Sequence, residues 1–343
     1  MEKKERIIGF DLIRAVAAFM VVAIHSNVYY LDFRDGSFHW FIIMELTALC
    51  VIAVPLFFMV SGACNLVDEE DISLRRLYFK KIPKQFIPFL IWSLIYVFAR
   101  IAMGKISFSP VAFISLLWEP AYYQFWFMYT LLGLYICIPL FQLLVQKAEK
   151  RVLQYILLIW GIGSVVLPAM VRYIPGFRLS SHFNFVFLEG YWGYFLLGAY
   201  LRKYPVENSK HLGWLLFVSG VCITGISAII EWSFSNPDKY YGYVYGAYLL
   251  PGAVFASVGA FLMMQQWNPL GKIRELVVWF SGLSMGVYYV HTLIIAGLEL
   301  FFVRFGNSLY ACILKWVIAC LLSVIFTVII RRIRFLKKWF LPG

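Results

Sequence analysis

Windows of about twenty apolar residues recur along the chain between short polar loops, and this pattern narrows the possible folds more than any other feature. Loops that short carry no folded domain of their own. The windows also lack the strict alternation that a membrane β-barrel strand requires. The chain is therefore read as all-α: a polytopic membrane protein of about ten transmembrane helices, forming one domain over 1–343. The expected spans are 7–30, 39–66, 85–103, 122–146, 152–171, 183–201, 211–232, 243–266, 276–303 and 309–330. Hydrophobic residues make up 62% of the chain and charged residues 14%, with a mean hydropathy of +0.78. Those values exclude an ordinary soluble domain.

The N-terminal MEKKER followed by an apolar run looks superficially like a signal peptide. Asp11, Arg14 and His25 interrupt the run and no A-x-A site follows, so it is read as the first span. Basic residues set the orientation. With the N-terminus in the cytoplasm, 21 of the 30 lysines and arginines fall on that side, 6 on the other, and Arg14, Arg100 and Lys315 within spans. Both termini are thus expected in the cytoplasm. The same dispersal explains the net charge of +12 through membrane lipids, without a nucleic-acid partner. The six cysteines all lie in apolar segments and form no CxxC or Cys/His cluster, so they read as small packing groups, not as metal ligands.

The first span, IIGFDLIRAVAAFMVVAIHSNVYY, carries the chemistry. Arg14 and His25 are eleven residues apart, about three turns, so they share a helix face roughly 16 Å apart along the axis. Ala18 lies between them, leaving room for a slender chain along that face. Charged groups in hydrocarbon are costly and rarely kept without a partner or pathway. The span is expected to line a polar tunnel shared by both residues. Asp11, three residues before Arg14, is a cavity group or simply its intrahelical ion-pair partner. Imidazole suits proton removal from a hydroxyl near neutral pH. Any group that orients His25 must come from another helix.

Other segments offer weaker candidates. The loop DEEDISLRRLYFKKIPKQF is either a lipid-headgroup anchor or a cradle for a phosphorylated ligand, through Arg75, Arg76, Lys81 and Lys84. VPLFFMVSGACN breaks at Pro55, Ser61, Gly62 and Asn65, as a kink or as cavity-lining backbone. In YYQFWFMYTLLGLY the aromatics form an interfacial belt, or Gln124 and Trp126 contact a sugar or an amide-rich chain. In SGLSMGVYYVHTLII, Ser284, Tyr288 and His291 share a face, for interhelical hydrogen bonding or for a cavity. Glu45, Glu189 and Glu299 are acids inside spans with no constellation around them.

Taken together, D-L-I-R-A with His25 completing R-x10-H, VPLFFMVSGA, QFWFMYTLLGLYICIP, GYFLLGAYL and SMGVYYVHTLII resemble the acyltransferase 3 family of integral membrane acyltransferases. The resemblance is to the compact, WecH-like O-acetyltransferase type, and it spans nearly the whole chain in the family's order. It implies a multi-pass protein of the bacterial plasma membrane. Such a protein moves an acetyl or other short acyl group from cytoplasmic acyl-CoA to a hydroxyl of a glycan or lipid-linked sugar at the outer face. Acetyl-CoA would be a co-substrate, with no permanently bound cofactor. By the same match His25 is the catalytic imidazole, Arg14 binds the donor or steadies charge, Ser61 and Gly62 complete an F-x-x-x-S-G element from Phe57, and His291 ends a Y-x-x-H element. The chain departs from the family where R-x-x-R usually precedes I-P-F: here Lys81 and Lys84 stand before Ile87-Pro88-Phe89, which keeps charge but loses bidentate phosphate recognition. Arg75 or Arg76 are the expected compensation. Fused C-terminal domains found in some members are not expected after the basic tail. A transporter or flippase is the rival reading, since polar groups inside spans suit it equally. A non-catalytic membrane scaffold is a further one.

Overall fold

The computed structural model describes residues 6–31, 37–68, 73–180, 182, 188–234, 247–302 and 308–342. Five of the basic residues in the orientation count, Lys3 and Lys4 on the expected cytoplasmic side and Arg34, Lys239 and Arg304 on the other, lie outside them, as do the acidic Glu69, Glu70 and Asp71. The described residues form helices and connecting turns only, without strands. Seven helices are long and apolar enough to cross a membrane, or eight if one bent pair counts as a single span.

In chain order the helices are α1 (Ile8–Leu31), α2 (Phe38–Cys50), α3 (Ala53–Leu66), α4 (Leu74–Ala102), α5 (Pro110–Ile114), α6 (Trp126–Ile136), α7 (Ile138–Lys147) and α8 (Lys150–Tyr173). They continue as α9 (Trp192–Lys203), α10 (Ser209–Phe234), α11 (Pro251–Gln265), α12 (Gly271–Ser281), α13 (Ser284–Phe302), α14 (Leu309–Arg332) and α15 (Arg334–Phe340). Two expected spans, 183–201 and 243–266, contain shorter helices than anticipated. Their parts 183–187 and 243–246 lie outside the described residues. Helices α9 and α11, with 12 and 15 residues, rise only about 18 and 22 Å, short of the ~30 Å hydrocarbon core.

Proline and small residues explain most of the breaks. Pro139 lacks an N–H and its ring crowds the carbonyl four residues back, and α6 and α7 are bent there by 57°. Pro55 follows the turn at Val51–Ile52 that divides α2 from α3. The expected span 276–303 is divided at Gly282 and Leu283 into α12 and α13. Helix α4 starts well before the expected residue 85. The Ser73 hydroxyl accepts from the Arg76 N–H at 3.2 Å and caps it, and π-helical turns over Leu77–Lys81 lead into Pro83.

Helix α1 is the centre of the bundle. In its membrane-spanning window 72% of residues are buried, against 33% for α14. It packs on α2, α3, α11, α12, α13 and α14. Outer helices turn large apolar side chains such as Leu321, Leu322 and Ile325 outward, as a lipid-facing surface should. The three basic residues inside spans are all paired. Arg14 meets Asp11, Arg100 Nη1 donates to the Ala121 carbonyl at 2.9 Å, and Lys315 Nζ donates to Glu299 Oε1 at 2.7 Å.

Helices α3 and α9 approach unusually closely through Gly62 and Gly198. A Cβ at Gly62 would fall within the Phe195 backbone, and one at Gly198 within that of Met59. Gly62→Ala should therefore force the two main chains apart. We expect a loss of about 1–3 kcal/mol, read as a lower thermal midpoint in detergent. A midpoint equal to wild type would show that the seam yields freely.

Candidate active site

Two cavities lie along α1, one at Arg14 and one at His25. The first has a volume of about 230 Å³ and is lined by Arg14, Ser61, Cys64, Asn65, Gln85 and Tyr135, among others. The second is much smaller, a niche of about 20 Å³ with room for little more than a water-sized group, and is lined by His25, Gln124, Trp126, Tyr248 and Tyr288 together with apolar side chains. Phe57 and Phe127 line both, with ring centroids 5.9 Å apart. The sequence suggested one tunnel. The structure has two chambers with an aromatic wall between them, because α3 and α6 each place a phenyl ring between the levels of Arg14 and His25.

Asp11 is the hub beneath the larger chamber. Its carboxylate accepts from Arg6 Nε at 2.6 Å and Arg6 Nη2 at 3.0 Å, from Arg14 Nη1 at 3.3 Å, and from the Ser281 hydroxyl at 2.6 Å. It is 1% exposed, so the anticipated ion pair with Arg14 is real and Asp11 does not face the cavity freely. The other end of the guanidinium, Nη2, donates to Cys64 Sγ at 3.1 Å. Arg14 is thus gripped from two sides with its remaining surface on the chamber. Beside it the Ser61 hydroxyl donates to the Tyr135 hydroxyl at 3.4 Å, and Asn65 Nδ2 donates to the Ser61 carbonyl at 2.7 Å.

The basic loop contributes unequally. Lys81 Nζ stands 6.0 Å from the centre of the Tyr135 ring, which brings it to the edge of the Arg14 chamber. Arg75, Arg76 and Lys84 lie on exposed surface of α4 and do not line that chamber. Gly62 does not line it either; its contact is the α9 backbone.

At the second chamber the sequence candidates converge. Gln124 and Trp126 enter from the start of α6 and Tyr288 from α13, and all three line the same cavity as His25. The Tyr288 hydroxyl donates to the Gln124 carbonyl at 2.8 Å, tying α13 to α6. The His25 ring packs between Tyr123, at 5.0 Å between centroids, and His291, at 5.2 Å. His291 is fully buried and does not line the cavity; it stands behind His25. Gln124 is 2% exposed, and its carboxamide, beside the Tyr96 hydroxyl, makes no well-formed hydrogen bond. Buried polar atoms of this kind are normally satisfied, so the niche suits a small polar group such as a hydroxyl.

Sequence reasoning passed over Cys64, Tyr135, Gln85, Phe127 and Tyr248. Cys64 had a legible signal: Phe57, Ser61, Cys64 and Asn65 follow i, i+4, i+7 and i+8 and so share one helix face. Its treatment as a packing cysteine hid that. The others become neighbours only in three dimensions.

A polar chamber with a positioned guanidinium, adjoining one with a buried imidazole, suits transfer of a group from a charged, elongated donor. A comparison with protein families finds an acyltransferase domain model matching residues 7–332. No curated protein and no solved structure matches. With almost the whole chain inside that match, and with its apolar helices, the protein belongs to the acyltransferase 3 family of membrane acyltransferases.

Proposed function

We propose that this membrane acyltransferase moves an acetyl or other short acyl group from cytoplasmic acyl-CoA to a hydroxyl of a cell-envelope or exported glycan. In this reading it is a WecH-like O-acetyltransferase of the bacterial plasma membrane. The observation that carries it is the pair of stacked chambers on one face of α1, with Arg14 at one and His25 at the other. The Arg14 end is the cytoplasmic one, where the bias of basic residues also points. Donor phosphates sit on the basic start of α4, near Lys81, with Arg75, Arg76 and Lys84 on the approach. The pantetheine arm lies in the larger chamber, past Arg14 and Ser61, with its thioester at the aromatic wall. Rotation of the Phe57 and Phe127 rings joins the chambers.

In the smaller chamber His25 takes the proton of the acceptor hydroxyl as that oxygen attacks the thioester carbonyl. The C–S bond breaks, CoA leaves as thiolate and then collects a proton. An acyl-imidazole on His25 is the two-step version of the same transfer. Gln124 and Trp126 present an amide and an indole to the sugar.

Purified protein in liposomes with radiolabelled acetyl-CoA and a membrane glycan extract tests this. Label joined covalently to glycan or lipid-linked sugar is expected. Substrate uptake without covalent change would make the protein a transporter, and neither result would leave a scaffold. Arg14→Ala should raise the KM for acyl-CoA about tenfold or more, the loss of a charge-assisted hydrogen bond worth about 1.5–3 kcal/mol. It should also abolish the thermal shift that CoA gives the wild type. An undiminished CoA shift in that variant would remove Arg14 from donor binding.

A further inference from the structure

Two ring nitrogens deep in the bundle lack a hydrogen-bond partner, and they belong to neighbouring rings. They are Nδ1 of His25 and Nε2 of His291. Buried polar atoms are normally hydrogen-bonded. The ring centroids are 5.2 Å apart with 35° between the planes. Two ring radii plus an N–H···N bond of about 2.9 Å come to roughly 5 Å, so the separation of the rings allows such a bond after a small rotation of either.

The protonation pattern of His291 follows from its other nitrogen. Nδ1 lies 2.7 Å from the Tyr288 carbonyl and 3.1 Å from that of Val287. Carbonyl oxygens only accept, so Nδ1 carries the proton and Nε2 of the neutral ring carries a lone pair. Helix α13 thereby offers His25 a fixed acceptor. If Nδ1 of His25 carries its proton, one N–H···N bond satisfies both orphaned atoms. His25 is then held in the tautomer whose Nε2 lone pair is free for the cavity. Bonds of this kind are often long or misaligned before substrate binds.

We propose that His291 is the positioning residue of His25. It holds the ring and fixes its tautomer, as a carboxylate does in hydrolytic triads. Being neutral, it brings no charge into the membrane interior. The proposal rests on the reading of His25 as the base and supplies the orienting partner that the sequence alone did not identify.

Glutamine and asparagine at position 291 separate this from a packing role. A glutamine carboxamide reaches about as far as Nε2, an asparagine only about as far as Nδ1. His291→Asn should lower kcat about 10- to 100-fold, the usual cost of losing an orienting partner, with the KM for acyl-CoA little changed. His291→Gln should recover most of that loss. Independently of turnover, ¹⁵N NMR of histidine-labelled protein in bilayers should show His25 protonated at Nδ1 in the wild type and shifted to Nε2 in His291→Asn, with His25→Gln used to assign the signal. An unchanged His25 tautomer, or His291→Gln no better than His291→Asn, would overturn the proposal. Should the wild type transfer no acyl group, the enzymatic reading alone fails, and the tautomer measurement still decides the contact.

Discussion

His25→Ala is expected to reduce acyl transfer by about 10²–10⁴-fold, the contribution of a positioned general base, while leaving a folded protein in the membrane. The second half of that expectation follows from the surroundings of the ring. The only polar partner that its removal affects is Nε2 of His291, which stays a neutral ring nitrogen beside the cavity. The loss is confined to ring packing against Tyr123 and His291 beside an existing cavity. Initial rates with radiolabelled acetyl-CoA, normalised to the amount of protein in the membrane, measure the effect. Transfer at the wild-type rate would take the imidazole out of the chemistry.

Lys315→Met should have the largest effect on stability. The ammonium and the Glu299 carboxylate meet at 2.7 Å between α14 and α13, with side chains 6% and 20% exposed. Water does little to compensate either charge at that depth. Removing one partner leaves the other as an uncompensated buried charge, a loss of about 3–5 kcal/mol, whereas replacing both by apolar groups is often neutral. The single variant should express poorly and melt far below wild type, and Lys315→Met with Glu299→Leu should recover most of both. Equal damage in the single and double variants would show that the charges act separately.

Much of this molecule was legible in its sequence, for identifiable reasons. The apolar windows located most helices. The expense of Asp11, Arg14 and His25 in a span marked α1, which is the central helix and carries both chambers. Gln124, Trp126 and Tyr288 were each ambiguous alone, and all three line the chamber of His25. The partner of Asp11 was half legible: the i, i+3 spacing gave Arg14, but nothing local announces Arg6 and Ser281. Helices α9 and α11 were overestimated because apolar composition persists at 188–191 and 247–250, just before each α-helix begins. The wall of Phe57 and Phe127 was not legible at all. Phenylalanine is common throughout these spans, and only the packing of α3 against α6 distinguishes those two rings from the rest.

That pair of rings has a consequence for the cell that houses the protein. A hydrated channel open from one face of a bilayer to the other would dissipate proton and ion gradients, worth about 2.3 kcal/mol per elementary charge at 100 mV. Two phenyl groups across the passage act like the inner door of an airlock. Each vestibule can stay wet while the lipid bilayer keeps its electrical seal.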